Sequence, residues 1–341
     1  MANERRVNIG LLGAGTWGIA LARMLANSGH GVTVWSALPE ELEQLSATRR
    51  QKNLPGAVIP DAVRFTADIA EACGGKDILL FAVPSVYVRA TARSAAPWIR
   101  EGQIIVDVAK GMEPDTLFTM TQVIGDELQK QGAPSVALVA LSGPTHAEEV
   151  ALDLPTTIVS ACPDLEVARR VQDVFMNTCM RVYTNEDILG VELCGAVKNI
   201  IALAAGISTG LGYGDNAKAA LITRGIVEIT RLGVAMGCRK ETFSGLAGLG
   251  DLIVTATSRH SRNNRCGELV GQGVPPEEAV KRIGMVVEGI HALAATMQLA
   301  ARYGVSMPIT EAVDAILNGG ADPRAVVLDL MSREKTSETE A

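Results

Sequence analysis

The stretch "VNIGLLGAGTWG", Val7 to Gly18, decides how the rest of the chain is read. Its apolar half, Val7 to Gly13, has the composition of a buried strand, and Trp17 to Ser28 follows as a helix stopped by Gly29. Between them Gly13-Ala14-Gly15-Thr16-Trp17-Gly18 fits G-x-G-x-x-G. In a chain with 34 glycines the bare pattern says little. Its position, after a strand and opening a helix, gives it meaning. Gly13 permits a tight turn, Gly15 leaves room for a pyrophosphate against the backbone, and Gly18 lets the helix lie close on the sheet. The helix start then offers N–H groups and partial positive charge to the phosphates of a dinucleotide. The plainer alternative is a glycine turn with no ligand.

Outward from this turn the same alternation recurs. "GVTVWS" reads as a strand, and "PEELEQLSATRR" as a helix opening on Pro39 with Glu40 and Glu41 as first-turn acids. Asp77 to Pro84, Gln103 to Gly111 and Ser135 to Pro144 are further strands, with a helix from Ser85 to about Pro97. Strands rich in Val, Ile and Leu, separated by helices, imply a mainly parallel sheet covered on both faces. Ligands bind such sheets at the strands' C-terminal ends. Those ends here carry "GAGTWG", "VWS", "VPS", "AKG" and "SGPTH", all polar, glycine-rich or both. The second strand ends Val34-Trp35-Ser36-Ala37, with neither a carboxylate for a ribose 2′-hydroxyl nor an arginine for a 2′-phosphate. The pattern therefore leaves NAD and NADP both open.

From about Gly190 strand signals fade and helical segments dominate: Gly190 to Ile207, Asp215 to Met236, Glu277 to Ile283, Glu288 to Tyr303 and Ile309 to Leu317. Met180 to Gly190 reads as a last strand plus a connector. The expected organisation is α/β: a Rossmann-like, mainly parallel sheet domain over 1–189, then an all-helical domain over 190–335. The first of these helices carries Lys198 among Val197, Ile200, Ile201 and Leu203. A lysine there either lays its stem along apolar surface with its ammonium in water, or its charge is used.

A length of 341 residues suits two domains, and 48% hydrophobic with 20% charged residues is a globular composition. A net charge of -7, without a basic tract, argues against a nucleic-acid partner. Cys73, Cys162, Cys179, Cys194, Cys238 and Cys266 are scattered, with no pair at metal-ligand spacing, as in a reduced cytoplasmic protein with no metal site. No signal-peptide core precedes the first strand, and the closest approach to a membrane span is broken by Lys198 and glycines. "SREKTSETEA" reads as a frayed polar tail.

Several blocks, in order, resemble one family. They are Gly13 to Gly18, "VPS", "AKGME", "SGPTHAEEV", "VELCGAVKNIIALAAGISTGLGYGDNAKAALITRG", "GLAGLGDLIVTATS", "SRN" at 261–263, "VVEG" and "MPITEAV". Over roughly Val7 to Leu330 the chain is similar to the bacterial-type NAD(P)-dependent glycerol-3-phosphate dehydrogenases. The resemblance implies hydride transfer between dihydroxyacetone phosphate and sn-glycerol 3-phosphate for phospholipid synthesis, in a homodimer. It makes Lys198 the catalytic proton donor or acceptor. Thr16, Trp17, Lys110, Ala147, Arg262, Val286 and Glu288 match cofactor positions beside the glycines. Lys110, Gly143, Thr145, Asp251, Ser261, Arg262 and Asn263 match the positions around the substrate. Two departures stand out. Ala37 replaces a basic residue that many relatives place near the 2′-phosphate, which weakens the case for a strong NADP preference. His146 stands where relatives have phenylalanine, outside the family's expected chemistry.

The residues fit this chemistry on their own terms. A proton donor needs a pKa near the working pH, and a free lysine at ~10.4 is too high. Apolar surroundings and a second cation, here Lys110, both lower it. Asn199 either binds a substrate oxygen or caps a helical contact. Asp251 holds the Lys198 ammonium, binds a substrate hydroxyl, or caps a helix start. Arg262 with Asn263 and Ser261 supplies a phosphate cradle, or belongs with Arg259 and Arg265 to a solvated basic loop. The rival readings are a β-hydroxyacid or ketopantoate-type dehydrogenase, and a dinucleotide-binding sensor without catalysis.

Overall fold

The computed structural model describes residues 6–176, 178–335 and 337–338. The first five residues and the last three residues of the polar tail lie outside the described residues, as do 177 and 336. The chain forms two compact units: Met1–Gly195 with Cys238–Asp251, and Ala196–Gly237 with Leu252–Ala341.

The first unit alternates strand and helix as its apolar runs require. In order these are β1 (Asn8–Leu12), α1 (Thr16–Asn27), β2 (Gly31–Trp35), α2 (Pro39–Thr48), β3 (Arg64–Thr66), α3 (Ile69–Cys73), β4 (Ile78–Phe81) and α4 (Val88–Ala95). Then come β5 (Ile104–Asp107), α5 (Met120–Lys130), β6 (Ala137–Ser142), α6 (Ala147–Val150), β7 (Thr156–Ala161), α7 (Leu165–Phe175) and β8 (Met180–Asn185). The strands lie in the order β3-β2-β1-β4-β5-β6-β7-β8. Every neighbouring pair is parallel except β6 with β7. All four residues of β4, and all four of β5, are buried, as a sheet covered on both faces demands.

Three strands deserve comparison with the sequence reading. β8 falls where a last strand was expected. β3 and β7 were not expected. The first has three residues at the sheet edge, too few to show a period of two. The second runs antiparallel because the connection before it, residues 143–155, carries only the short α6 instead of a full crossover helix.

From α8 (Ile188–Gly210) onward the chain is helical: α9 (Asp215–Ala235), α10 (Lys240–Phe243), α11 (Asp251–Thr257), α12 (Arg262–Gly271), α13 (Pro276–Ile283), α14 (Glu288–Tyr303), α15 (Pro308–Leu317) and α16 (Pro323–Met331). α10 and the π-helical turn Leu246–Gly250 before α11 belong to the first unit. Among the described residues α8 alone is long and apolar enough to cross a membrane, and 89% of its most apolar stretch is buried inside the protein.

Two devices hold the helices that carry polar groups. In the first unit, Glu192 near the start of α8 accepts bonds from Thr121 N at 2.8 Å, Thr119 Oγ1 at 2.7 Å and Thr121 Oγ1 at 2.6 Å. Burial pushes this carboxyl up, and the three donors oppose the shift. In the second unit, α8 and α12 meet backbone to backbone. A Cβ on Gly206 would collide with the Asn264 carbonyl, and one on Gly267 with the Leu203 carbonyl. Only glycine permits that approach.

Candidate active site

In the first unit the glycine turn has the geometry its pattern asks for. Gly13 sits at φ +119°, and a Cβ there would lie 2.7 Å from the Ala82 carbonyl oxygen. Gly13 N donates to Trp35 O at 2.8 Å, which ties the turn to the end of β2. Gly15 is exposed, with open space where a Cβ would stand, and no side chain caps α1. Gly18 is buried, and a Cβ would strike the Gly13 carbonyl. Thr16 and Trp17 are half-buried in the first turn of the helix. Asn53, which sequence reasoning did not single out, donates from Nδ2 to Thr16 Oγ1 at 3.1 Å.

Lys110 follows β5, and its Nζ donates to Gly143 O at 2.9 Å and to Asp251 Oδ2 at 2.8 Å. Asp251 is 1% exposed at the start of α11. Gly143 is buried just past β6, and Thr145 Oγ1 also donates to its carbonyl, at 3.2 Å. Ser142 Oγ, at the end of β6, is buried with no hydrogen-bond partner. It lies 3.2 Å from where a Gly195 Cβ would be, and Lys110 Cγ 3.5 Å from the same point. Ala147 opens α6 beside half-buried His146.

In the second unit Lys198 is 4% exposed, so its ammonium does not stand in water. Its Nζ donates to Thr255 Oγ1 at 2.6 Å. Thr255 was missed in the sequence; its signal is a place one turn after Asp251 in α11. Asn199 Oδ1 accepts from Asn263 Nδ2 at 2.9 Å, and Asn263 Oδ1 accepts from Gly289 N at 2.9 Å. Buried amides thus fasten α8, α12 and the start of α14 to one another.

Ser261 caps α12, its Oγ accepting from Asn264 N at 3.2 Å while its own N–H donates to Ser258 O at 3.2 Å. That N–H is spent inside the turn, whereas the hydroxyl keeps its hydrogen to donate. Arg262 is the half-buried first residue of α12, while Arg259 and Arg265 are exposed. Val286 is half-buried just before α14, and half-buried Glu288 is its first residue. Among the described residues no cluster of three or more His, Cys, Asp or Glu is arranged to hold a metal.

Comparison with known proteins settles what kind of chain this is. Residues 8–168 match "NAD-dependent glycerol-3-phosphate dehydrogenase N-terminus", and residues 187–328 match "NAD-dependent glycerol-3-phosphate dehydrogenase C-terminus". The chain belongs to the NAD-dependent glycerol-3-phosphate dehydrogenase family. Within that family it is 68% identical to Glycerol-3-phosphate dehydrogenase [NAD(P)+] 2 of Lactobacillus delbrueckii subsp. bulgaricus, over 97% of this chain and 98% of the relative. It is 50% identical to the Agathobacter rectalis enzyme of the same description, over 97% of each. The crystal structure of the glycerol-3-phosphate dehydrogenase of Coxiella burnetii superposes with a TM-score of 0.91 at 37% identity, covering 96% of this chain and 99% of that one. The eight-stranded, mostly parallel sheet and the helical second unit are thus the fold of this dehydrogenase family.

Proposed function

We propose that this protein interconverts dihydroxyacetone phosphate and sn-glycerol 3-phosphate with NADH or NADPH, as a cytoplasmic homodimer that supplies glycerol 3-phosphate for phospholipid synthesis. The observation that carries the reading is the burial of Lys198 in α8 with its Nζ fixed at 2.6 Å on Thr255 Oγ1. A buried ammonium held in one place by a hydroxyl is positioned to pass a proton to a bound ketone.

Gly13, Gly15, Gly18, Thr16 and Trp17 hold the dinucleotide, and the fit is supported by the open space at Gly15 and the uncapped start of α1. Ala147, Val286 and Glu288 complete its surroundings. The bound nicotinamide supplies the hydride. Lys198 gives its proton to the ketone oxygen in one direction and takes it back in the other. Lys110, steadied by the Gly143 carbonyl and the Asp251 carboxylate, polarises that oxygen. Arg262 and Asn263, at the N-terminal end of α12, take the phosphate together with the Ser261 hydroxyl, and Thr145 is a further substrate contact. Asn199 orders Asn263 and contacts the substrate.

The test is NADH oxidation by the purified protein with dihydroxyacetone phosphate against branched 2-keto acids such as ketopantoate. The expected result is a kcat/KM at least ~100-fold higher for the phosphorylated ketone, since a site built for phosphate leaves buried donors unpaired with a keto acid. Preference for the keto acid, or no oxidation with either, refutes the reading.

A further inference from the structure

The sequence alone leaves the choice between NAD and NADP open, because no acid or arginine closes β2. The fold brings one there. The register Leu12↔Trp35 and the bond from Gly13 N to Trp35 O put Ser36 immediately past the point where the glycine turn is tied to β2. Ser36 is 5% exposed, and its Oγ donates to Glu41 Oε2 at 2.7 Å while accepting from Leu38 N at 3.2 Å. Glu41 lies in the first turn of α2 and is half-buried. Its carboxylate is therefore held back over the strand end by a hydroxyl that is itself locked to the backbone. In sheets of this kind the adenosine ribose lies at that end, and an acid there accepts the 2′-hydroxyl.

We infer that Glu41, fixed by Ser36, is the specificity-determining residue for the cofactor, and that this chain selects NAD(H) over NADP(H). The inference rests on the reading that the glycine turn binds a dinucleotide. A carboxylate accepts a bond from a 2′-hydroxyl and repels a 2′-phosphate, which carries two further negative charges and no proton to offer. Nothing at Ala37 or Leu38 compensates, because neither side chain is basic. Arg49, at the far end of α2, is occupied elsewhere: its Nη1 donates to Val63 O at 2.8 Å and its guanidinium lies 5.2 Å over the Phe65 ring. Glu40, the other first-turn acid, is exposed and supplies a built-in control.

The experiment is direct titration of the full chain with NADH and with NADPH, without substrate, followed by calorimetry or fluorescence. The wild type is expected to bind NADH at least ~10-fold more tightly. Glu41→Gln removes the charge but keeps the shape, and the Kd ratio should fall at least ~5-fold, mainly through tighter NADPH. Glu40→Gln should leave the ratio within ~2-fold. Equal binding in the wild type, an unchanged ratio in Glu41→Gln, or an equal change in Glu40→Gln overturns the assignment while leaving the dinucleotide site standing. Binding of neither nucleotide overturns both.

Discussion

The two units place polar groups by different means. In the sheet unit the candidate site residues lie on backbone turns at strand ends: Gly13 tied to Trp35, Lys110 after β5, and Gly143 after β6. In the helical unit they are side chains inside the packing: Lys198 on Thr255, and Asn199 joined through Asn263 to Gly289. Strand ends are fixed by backbone geometry, so a substitution that forces a Cβ into such a turn spoils the turn and the ligand contact proposed for it. Buried amides hold the helices themselves, so a substitution there spoils position and stability together.

The largest expected effect tests the first half of that contrast. Gly13→Ala forces φ +119° on a residue with a Cβ and drives that atom to 2.7 Å from the Ala82 carbonyl. It should cost roughly 3–5 kcal/mol in stability and abolish NADH binding. Thermal unfolding and nucleotide titration check it, and near-wild-type NADH affinity would break the comparison. Asn263→Ala strips partners from Asn199 Oδ1 and Gly289 N, both buried. We expect a loss of about 2–4 kcal/mol and a raised KM for dihydroxyacetone phosphate, a larger change than any in NADH Kd. A weakened NADH Kd with unchanged KM would reverse the assignment of the two halves.

How far the sequence was legible follows the same contrast. The glycine turn, the strand ends and Lys198 were readable because each is local: a spacing, a terminus, a charge in an apolar run. Thr255 was not, since a threonine within a helix carries no mark until Lys198 is found against it. Nor was the bond between Asn199 and Asn263, whose partners are 64 positions apart. Glu41 was read as a helix acid, and only the turn at Ser36 brings its carboxylate back to the strand. The antiparallel β7 escaped because direction is set by the connection, not by the strand's own residues.

The smallest effect concerns scaffold alone. Glu228 on α9 is 2% exposed and accepts from Ile309 N at 2.7 Å at the start of α15. Burial pushes its carboxyl up to about 7. Because the folded value lies above the unfolded one, the stability it contributes is full below the unfolded value of ~4.3 and is lost as pH rises through about 7. Glu228→Gln cannot ionise, so its stability should fall by about 2–3 kcal/mol less than the wild type's between pH 5 and pH 8. Parallel pH profiles for the two proteins would show that this carboxyl does not titrate there.

The most direct test of the central claim is Lys198→Met. This side chain keeps the length and the apolar contacts of the stem but holds no proton. Rapid mixing of the variant with saturating NADH and dihydroxyacetone phosphate, following the loss of NADH absorbance in a single turnover, isolates the chemical step. The account predicts an NADH Kd within ~2-fold of wild type and a rate of NADH loss reduced by roughly 10³-fold. A rate within ~10-fold of wild type, at intact NADH affinity, would contradict it.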